Sequence, residues 1–222
     1  MTRAAPDRAH TIAELLNQYE LFAALLAAVD VRGWTFSSRC TGWQVRDVAA
    51  HVVGQAADVV SGAAGTRTPD QQATALRDQP PSALADRLLA AQESVRGLVT
   101  GLDDAGWDAP SAIPDLTVGQ GIQTLVHDVY VHGDDIRAAL RLPFDAGPGL
   151  SASLDFVLGA LERGLKRDNV ASADPRITGL LPIPANEFAS ATGIDSHDFV
   201  LAATGRLDAA RLDLPDSINI YR

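Results

Sequence analysis

The stretch Thr117-Val118-Gly119-Gln120-Gly121-Ile122-Gln123-Thr124-Leu125-Val126-His127-Asp128-Val129-Tyr130-Val131-His132-Gly133-Asp134-Asp135-Ile136 decides the architecture. Val118, Ile122, Leu125, Val129, Ile136 and Ala139 recur at three- and four-residue steps behind Thr117, whose hydroxyl can cap free backbone N–H groups. A helix over about 117–141 is predicted, with His132 standing on its apolar stripe. An apolar stripe on a long helix needs partners, and the rest of the chain supplies them.

Upstream, Leu84, Leu88, Ala91, Val95, Leu98 and Leu102 repeat at four-three steps and predict a helix over about 82–103. Val45, Val48, Val52, Ala56 and Val59 predict another over about 42–63, with Thr41 to Gln44 as its capping box. Ile12, Leu15, Leu16, Tyr19, Phe22, Leu26 and Val29 predict a first helix over about 11–30, opened by a Thr11-to-Glu14 box and stopped near Gly33. The polar, proline-broken Thr66 to Pro81 reads as a surface connection, and Asp104 to Pro114 as a loop. Four long helices make the first domain, a bundle.

Beyond the Gly147-Pro148-Gly149 cluster, Ser151 to Lys166 predicts a fifth helix. Past Asp168, the β-favourable runs Arg176-Ile177-Thr178 and Ile218-Asn219-Ile220-Tyr221 mix with a helix-like Ser196 to Thr204, which predicts a small α/β unit. The domains expected are therefore a helical bundle over 1–145 and an α/β domain over 146–222. No internal repeat is visible.

The 222 residues are 46% hydrophobic and 21% charged, an ordinary globular composition. With 28 acidic against 18 basic residues the net charge is −10, which argues against a grip on nucleic acid or an anionic membrane. One cysteine, Cys40, excludes an internal disulfide framework and fits a reducing compartment. The stretch Met1 to Asp7 has no apolar signal core, and no apolar run reaches the ~20 residues a bilayer span needs, so a cytoplasmic protein is expected.

Asp128 and His132 are four residues apart, hence about 40° apart around a helix, and can converge on one point. A carboxylate and an imidazole are costly to bury without a partner, and a divalent cation suits both. His51, beside Val48 and Val52 on the second predicted helix, supplies a third ligand from a facing surface. The alternative is a hydrogen-bonded core pair without metal. His127 is about 140° from His132 and is a weaker candidate, while His10 and His197 sit near helix starts and read as solvated. Asp47, one turn before His51, is either an acceptor that orients it or a helix-start acid. Asp134 and Asp135 read as partners of Arg137 along the helix. Cys40 reads as a small buried residue rather than a thiol at a cavity mouth, and Trp34, Trp43 and Trp107 as packing at the bundle rim.

Trp43-Gln44-Val45-Arg46-Asp47-Val48-Ala49-Ala50-His51 resembles the W-x-V-x-D-x-x-x-H signature of the mycothiol-dependent maleylpyruvate isomerase family. Asp128 to Arg137 is similar to that family's E-x-x-x-H-x-x-D segment, and Phe199 to Arg206 to its C-terminal helix ending in Gly-Arg. The resemblance implies a DinB-like four-helix bundle with His51, Asp128 and His132 as ligands of a divalent metal, zinc first and Fe(II) second. Asp128 stands where the family usually has Glu, one methylene longer. Leu180 to Ala191 departs from the family pattern, so Arg206 is the counterpart of the family's active-site arginine on local likeness alone. Implied too are mycothiol as thiol cosubstrate, a small electrophilic and anionic substrate held by Arg206 or Arg137, and isomerase or thiol-transferase chemistry. A non-catalytic metal- or ligand-binding bundle is the other class of reading, and a homodimer is the default assembly.

Overall fold

The computed structural model describes residues 7–167 and 174–221. Met1 to Pro6, most of the segment read above as lacking a signal core, and Asp168 lie outside the described residues. Asp7–Asp145 form one compact unit, and the chain from Ala146 forms most of a second.

In the first unit the long helices are α1 (Arg8–Ala27), α2 (Val45–Val60), α4 (Pro81–Thr100) and α6 (Val118–Ala139), with short helices α3 (Pro69–Leu76) and α5 (Asp104–Asp108) between them. Both α1 and α2 pack on α4 and α6, so the ring order is α1, α4, α2, α6 and the pair α1/α2 is diagonal. Leu15, Tyr19 and Leu26 of α1, Val48 and Val52 of α2, Leu84 and Leu88 of α4, and Val129 and Ile136 of α6 fill the interior. Burying such stripes is what holds helices of this length together.

Local signals place the helix ends. Thr117 caps α6 reciprocally with Gln120 at 3.0 and 3.3 Å, as the sequence predicts. The first helix begins earlier than expected: Asp7 caps it by accepting from the His10 N–H at 2.7 Å, while Thr11 and Glu14 are buried inside it. Asp47 Oδ2 accepts from the Gln44 N–H at 2.9 Å at the start of α2.

The connection expected over Thr66 to Pro81 contains α3, which packs along α2. Its prolines do not break helices here, because Pro69 and Pro81 stand in the first turns of α3 and α4, where a missing N–H costs nothing. Thr68 and Gln71 form the capping box that starts α3. The Asp104 loop likewise contains one helical turn, α5, capped by Asp103. On α4 the buried seam runs Leu84, Ala85, Leu88, Gln92, Val95 and Val99, and Leu98 is 52% exposed. A strict seven-residue repeat drifts ~20° per heptad on a straight helix, which carries Leu98 off the buried face.

The two helices that bear the candidate ligands are introduced alike. An antiparallel bridge joins Ser37 to Gln44 immediately before α2, and another joins Pro110 to Thr117 immediately before α6. The turn before α2 needs Gly42 at φ +82°, a conformation that a Cβ disfavours.

The second unit is helical and turn-rich rather than α/β. It comprises α7 (Pro148–Arg167), α8 (Pro175–Thr178), α9 (Phe188–Thr192) and α10 (Ser196–Ala203), and no strand occurs among the described residues. Arg176 to Thr178 is a helical turn because Asp174 accepts from the Arg176 N–H and Pro175 occupies the first turn. Ile218 ends a 3₁₀ turn. Isolated β-branched residues form strands only where a neighbour offers a ladder, and these runs have none. The helix predicted at Ser196 is present as α10, with Phe188 and Phe199 rings 4.7 Å apart beneath it. Gly205 ends it at φ +73°, where a Cβ would meet Asn219 Nδ2 at 2.8 Å. Among the described residues no helix is long and apolar enough to cross a membrane.

Candidate metal centre

His51 lies on α2 and Asp128 and His132 on α6, two helices in contact. His51 Nε2 is 3.3 Å from Asp128 Oδ2, and His132 Nε2 is 3.6 Å from Asp128 Oδ1. The three offer ligand atoms all within 4.8 Å of one another, and the imidazole rings stand nearly perpendicular with centroids 5.0 Å apart. Both histidines are buried and Asp128 is partly so.

The other nitrogen of each ring faces an oxygen. His51 Nδ1 lies 2.8 Å from Gln72 Oε1, and Gln72 Nε2 donates to Asp58 Oδ2 at 2.7 Å. His132 Nδ1 lies 3.0 Å from Asp135 Oδ2, whose Oδ1 accepts from Arg39 Nε at 3.2 Å. With Nδ1 of each ring donating, both Nε2 lone pairs point at the Asp128 carboxylate. Among the described residues Asp128 Oδ2 is buried and accepts no hydrogen bond. Two lone pairs facing a carboxylate repel one another unless a cation or protons lie among them, so the residues present fit a divalent metal.

Without a metal, His51 and Asp128 stabilise one another's charge. Burial pulls the His51 pKa down, but the adjacent Asp128 carboxylate, with help from Gln72 and Asp70, outweighs it and raises the value above the ordinary 6.5. Burial pushes Asp128 up, yet His132, His51 and His127 together hold its carboxyl well below the usual carboxylate range. Tyr19, fully buried on α1, has its hydroxyl pushed far above the ordinary value by burial and by the charge of Asp128.

Asp47, Trp34 and Trp107 take roles that the sequence offers for them, whereas Asp134, Asp135 and Cys40 do not. Asp47 is the helix-start acid, capping Gln44, with its other oxygen 3.3 Å from Arg77 Nε. Asp134 and Asp135 pair with Arg39 from the loop before α2, rather than with Arg137 one turn along. Cys40 lies beside the centre, its thiol donating to Asp135 Oδ2 at 3.2 Å and sitting 3.8 Å from His132 Nδ1. Trp43 packs against both imidazoles, with centroids 5.4 Å from His51 and 6.3 Å from His132, and its Nε1 donates to Asp70 Oδ1 at 2.9 Å. Trp34 is buried and Trp107 lies over Gly119, as packing residues do.

His127 is fully buried but outside the ligand cluster, and His10 is exposed. His197, half-buried at the start of α10, and Arg206, half-buried just beyond its end, belong to the second unit. Sequence reasoning missed Gln72, Asp58, Arg67 and Arg39. The Thr68-to-Gln71 capping box and Pro69 in the first turn are the local signals that place α3, and with it Gln72.

Residues 15–137 match the family model described as the mycothiol maleylpyruvate isomerase N-terminal domain. No curated protein and no solved structure matches the chain. The match takes in α2 and α6 with His51, Asp128 and His132, and covers more than half of the sequence. A helical bundle that brings both halves of the family signature onto facing helices agrees with that match, and the chain belongs to the mycothiol maleylpyruvate isomerase N-terminal domain family.

Proposed function

We propose that this protein is a metal- and thiol-dependent isomerase or thiol transferase acting on a small electrophilic, anionic substrate. The observation that carries the reading is the convergence of His51 Nε2, His132 Nε2 and the Asp128 carboxylate, with both Nδ1 atoms backed by oxygens. Two histidines and one carboxylate leave coordination positions open, as catalytic zinc sites do. Asp128, though shorter than the family's usual Glu, already approaches both imidazoles.

When bound, the metal supplies Lewis acidity that keeps a coordinated thiol deprotonated near neutral pH. The chain's own residues do the rest. His51 and His132 are held in one orientation by Gln72 and Asp135, and Trp43 walls one side of the two rings against water. The small-molecule thiol is mycothiol in this reading. Its thiolate sulfur adds to one carbon of a cis double bond conjugated to a carbonyl, the π pair moves onto that carbonyl as an enolate, the resulting single bond rotates, and return of the pair expels the thiolate and restores the alkene as trans. Arg206 binds a carboxylate of the substrate. With a single cysteine in the chain, a reducing cytoplasm is the compartment that fits.

Elemental analysis of protein purified without a metal-affinity tag tests the centre. Near-stoichiometric zinc in the wild type and its loss in His51→Ala are expected, and no metal in the wild type after reconstitution overturns the reading. Cobalt replacement then separates enzyme from non-catalytic metal binder: added thiol produces a thiolate-to-cobalt absorption band only if a coordination position is open.

A further inference from the structure

We propose that Gln72 is the positioning residue of His51, and that the buried charge of Asp58, two side chains away from the centre, dictates which nitrogen of His51 is free. This rests on the reading of His51 Nε2 as a metal donor.

Arg67 Nε lies 2.9 and 3.1 Å from the two oxygens of Asp58, and its Nη2 also pairs with that carboxylate. Asp58 is only 3% exposed, and its carboxylate, with both oxygens facing the Arg67 guanidinium, presents acceptors to its neighbours. A glutamine amide has chemically different ends. Its NH₂ must face Asp58, and it does so at 2.7 Å, which turns Oε1 towards His51 at 2.8 Å. Oε1 has no proton to give, so the proton of that hydrogen bond sits on His51 Nδ1. A neutral imidazole has one N–H, and Nε2 is therefore left with its lone pair towards Asp128.

The arrangement requires a separate helix. The carboxylate one turn before His51 is Asp47, which is committed to the helix start, whereas His132 finds its acceptor, Asp135, one turn along its own helix. Helix α3 brings Gln72 in, and Gly54 of α2 permits the approach: a Cβ at that position would lie 2.8 Å from Gln72 Cβ and 3.3 Å from its Cα. Arg67 also donates to the Gly54 carbonyl at 3.3 Å, tying the link between α2 and α3 to the same point.

The test has two arms. In metal-free protein, long-range ¹H–¹⁵N spectra of the imidazoles above their titration should show His51 with its proton on Nδ1. In Asp58→Asn the new amide can donate to Gln72 Oε1, which turns the Gln72 NH₂ towards His51 and moves the ring proton to Nε2. A wild-type His51 protonated on Nε2 would overturn the proposal, as would an Asp58→Asn protein with no change of tautomer. In the second arm, zinc affinity is read by chelator competition. Gln72→Leu and Asp58→Asn should each weaken binding by about 10- to 100-fold. Gln92→Leu removes another buried amide, one that donates to the Leu16 carbonyl, and should lower the Tm while leaving zinc affinity unchanged. Equal zinc affinity in Gln72→Leu and Gln92→Leu overturns the role. Should Gln72→Leu fail to fold, Gln72→Met, which keeps the length of the side chain, takes its place. The first arm needs no metal, so a wild type that takes up no zinc refutes the metal reading while the tautomer still decides the relay.

Discussion

His51 Nε2 and Asp128 Oδ2 face each other at 3.3 Å across two separate helices, and neither side chain is explained without the other. The ring is buried, and the carboxylate oxygen, among the described residues, accepts no hydrogen bond. Removing the carboxylate should therefore show in the histidine. Asp128→Ala is expected to abolish zinc uptake and to drop the His51 pKa below its ordinary value, because burial is then the dominant influence. An NMR titration of the metal-free variant measures this, and a His51 pKa that stays raised would contradict it.

The same pair sets a pH optimum for the metal-free fold. His51 has a raised folded pKa, so its contribution to stability is complete below the ordinary 6.5 and disappears as pH climbs through the folded value. Asp128 has a depressed one, so its contribution is complete above the ordinary 3.8 and disappears as pH falls towards the folded value. Urea unfolding of metal-free protein should thus give greatest stability between those two ordinary values. Zinc replaces protons at the centre, so its stabilising effect should grow as pH rises. A profile unaffected by zinc at alkaline pH would speak against the centre.

Trp43 stands against both imidazoles and should report on occupancy. Binding of Co(II) or Cu(II) is expected to quench a large part of the tryptophan fluorescence of the wild type. In Trp43→Phe, which retains an aromatic wall, metal should still bind and the metal-dependent quenching should largely vanish. Undiminished quenching in that variant would place the metal nearer Trp34 or Trp107.

Arg206 lies outside the residues matched by the family model, and its proposed part is to hold an anionic substrate. Arg206→Ala should leave zinc content unchanged and raise KM for an anionic electrophile more than it lowers kcat. Unaltered kinetics would remove Arg206 from the reaction.

The α4 seam makes a stability prediction independent of function. Leu88 is fully buried, so Leu88→Ala should cost about 2–5 kcal/mol. Leu98, 52% exposed, should tolerate alanine within about 0.5 kcal/mol. Denaturant midpoints of the two variants decide whether the helix follows the 3.6-residue period or the heptad.

Structure is legible in residue patterns where its cause is local. The cap at Thr117 and the stripe through Ile122, Val129 and Ile136 lie within a few turns of one another, and α6 follows almost to the residue. The pattern is misleading at α3, where Pro69 acts as a helix starter rather than a breaker. It is misleading again at Arg176 to Thr178, where β-favourable residues have, among the described residues, no strand to pair with.

By itself the sequence determined four amphipathic helices and the convergence of Asp128 with His132, because periodicity and spacing are properties of a single helix, while the likeness to the family rests on the segments Trp43 to His51 and Asp128 to Arg137. Only the tertiary structure decided what stands behind each histidine. Gln72 reaches His51 from 21 residues away, and Arg39 reaches Asp134 and Asp135 from 95 and 96 residues away. Such partners depend on how closely two elements approach, down to a missing Cβ at Gly54, and close packing between distant segments leaves no period in the chain from which to read it.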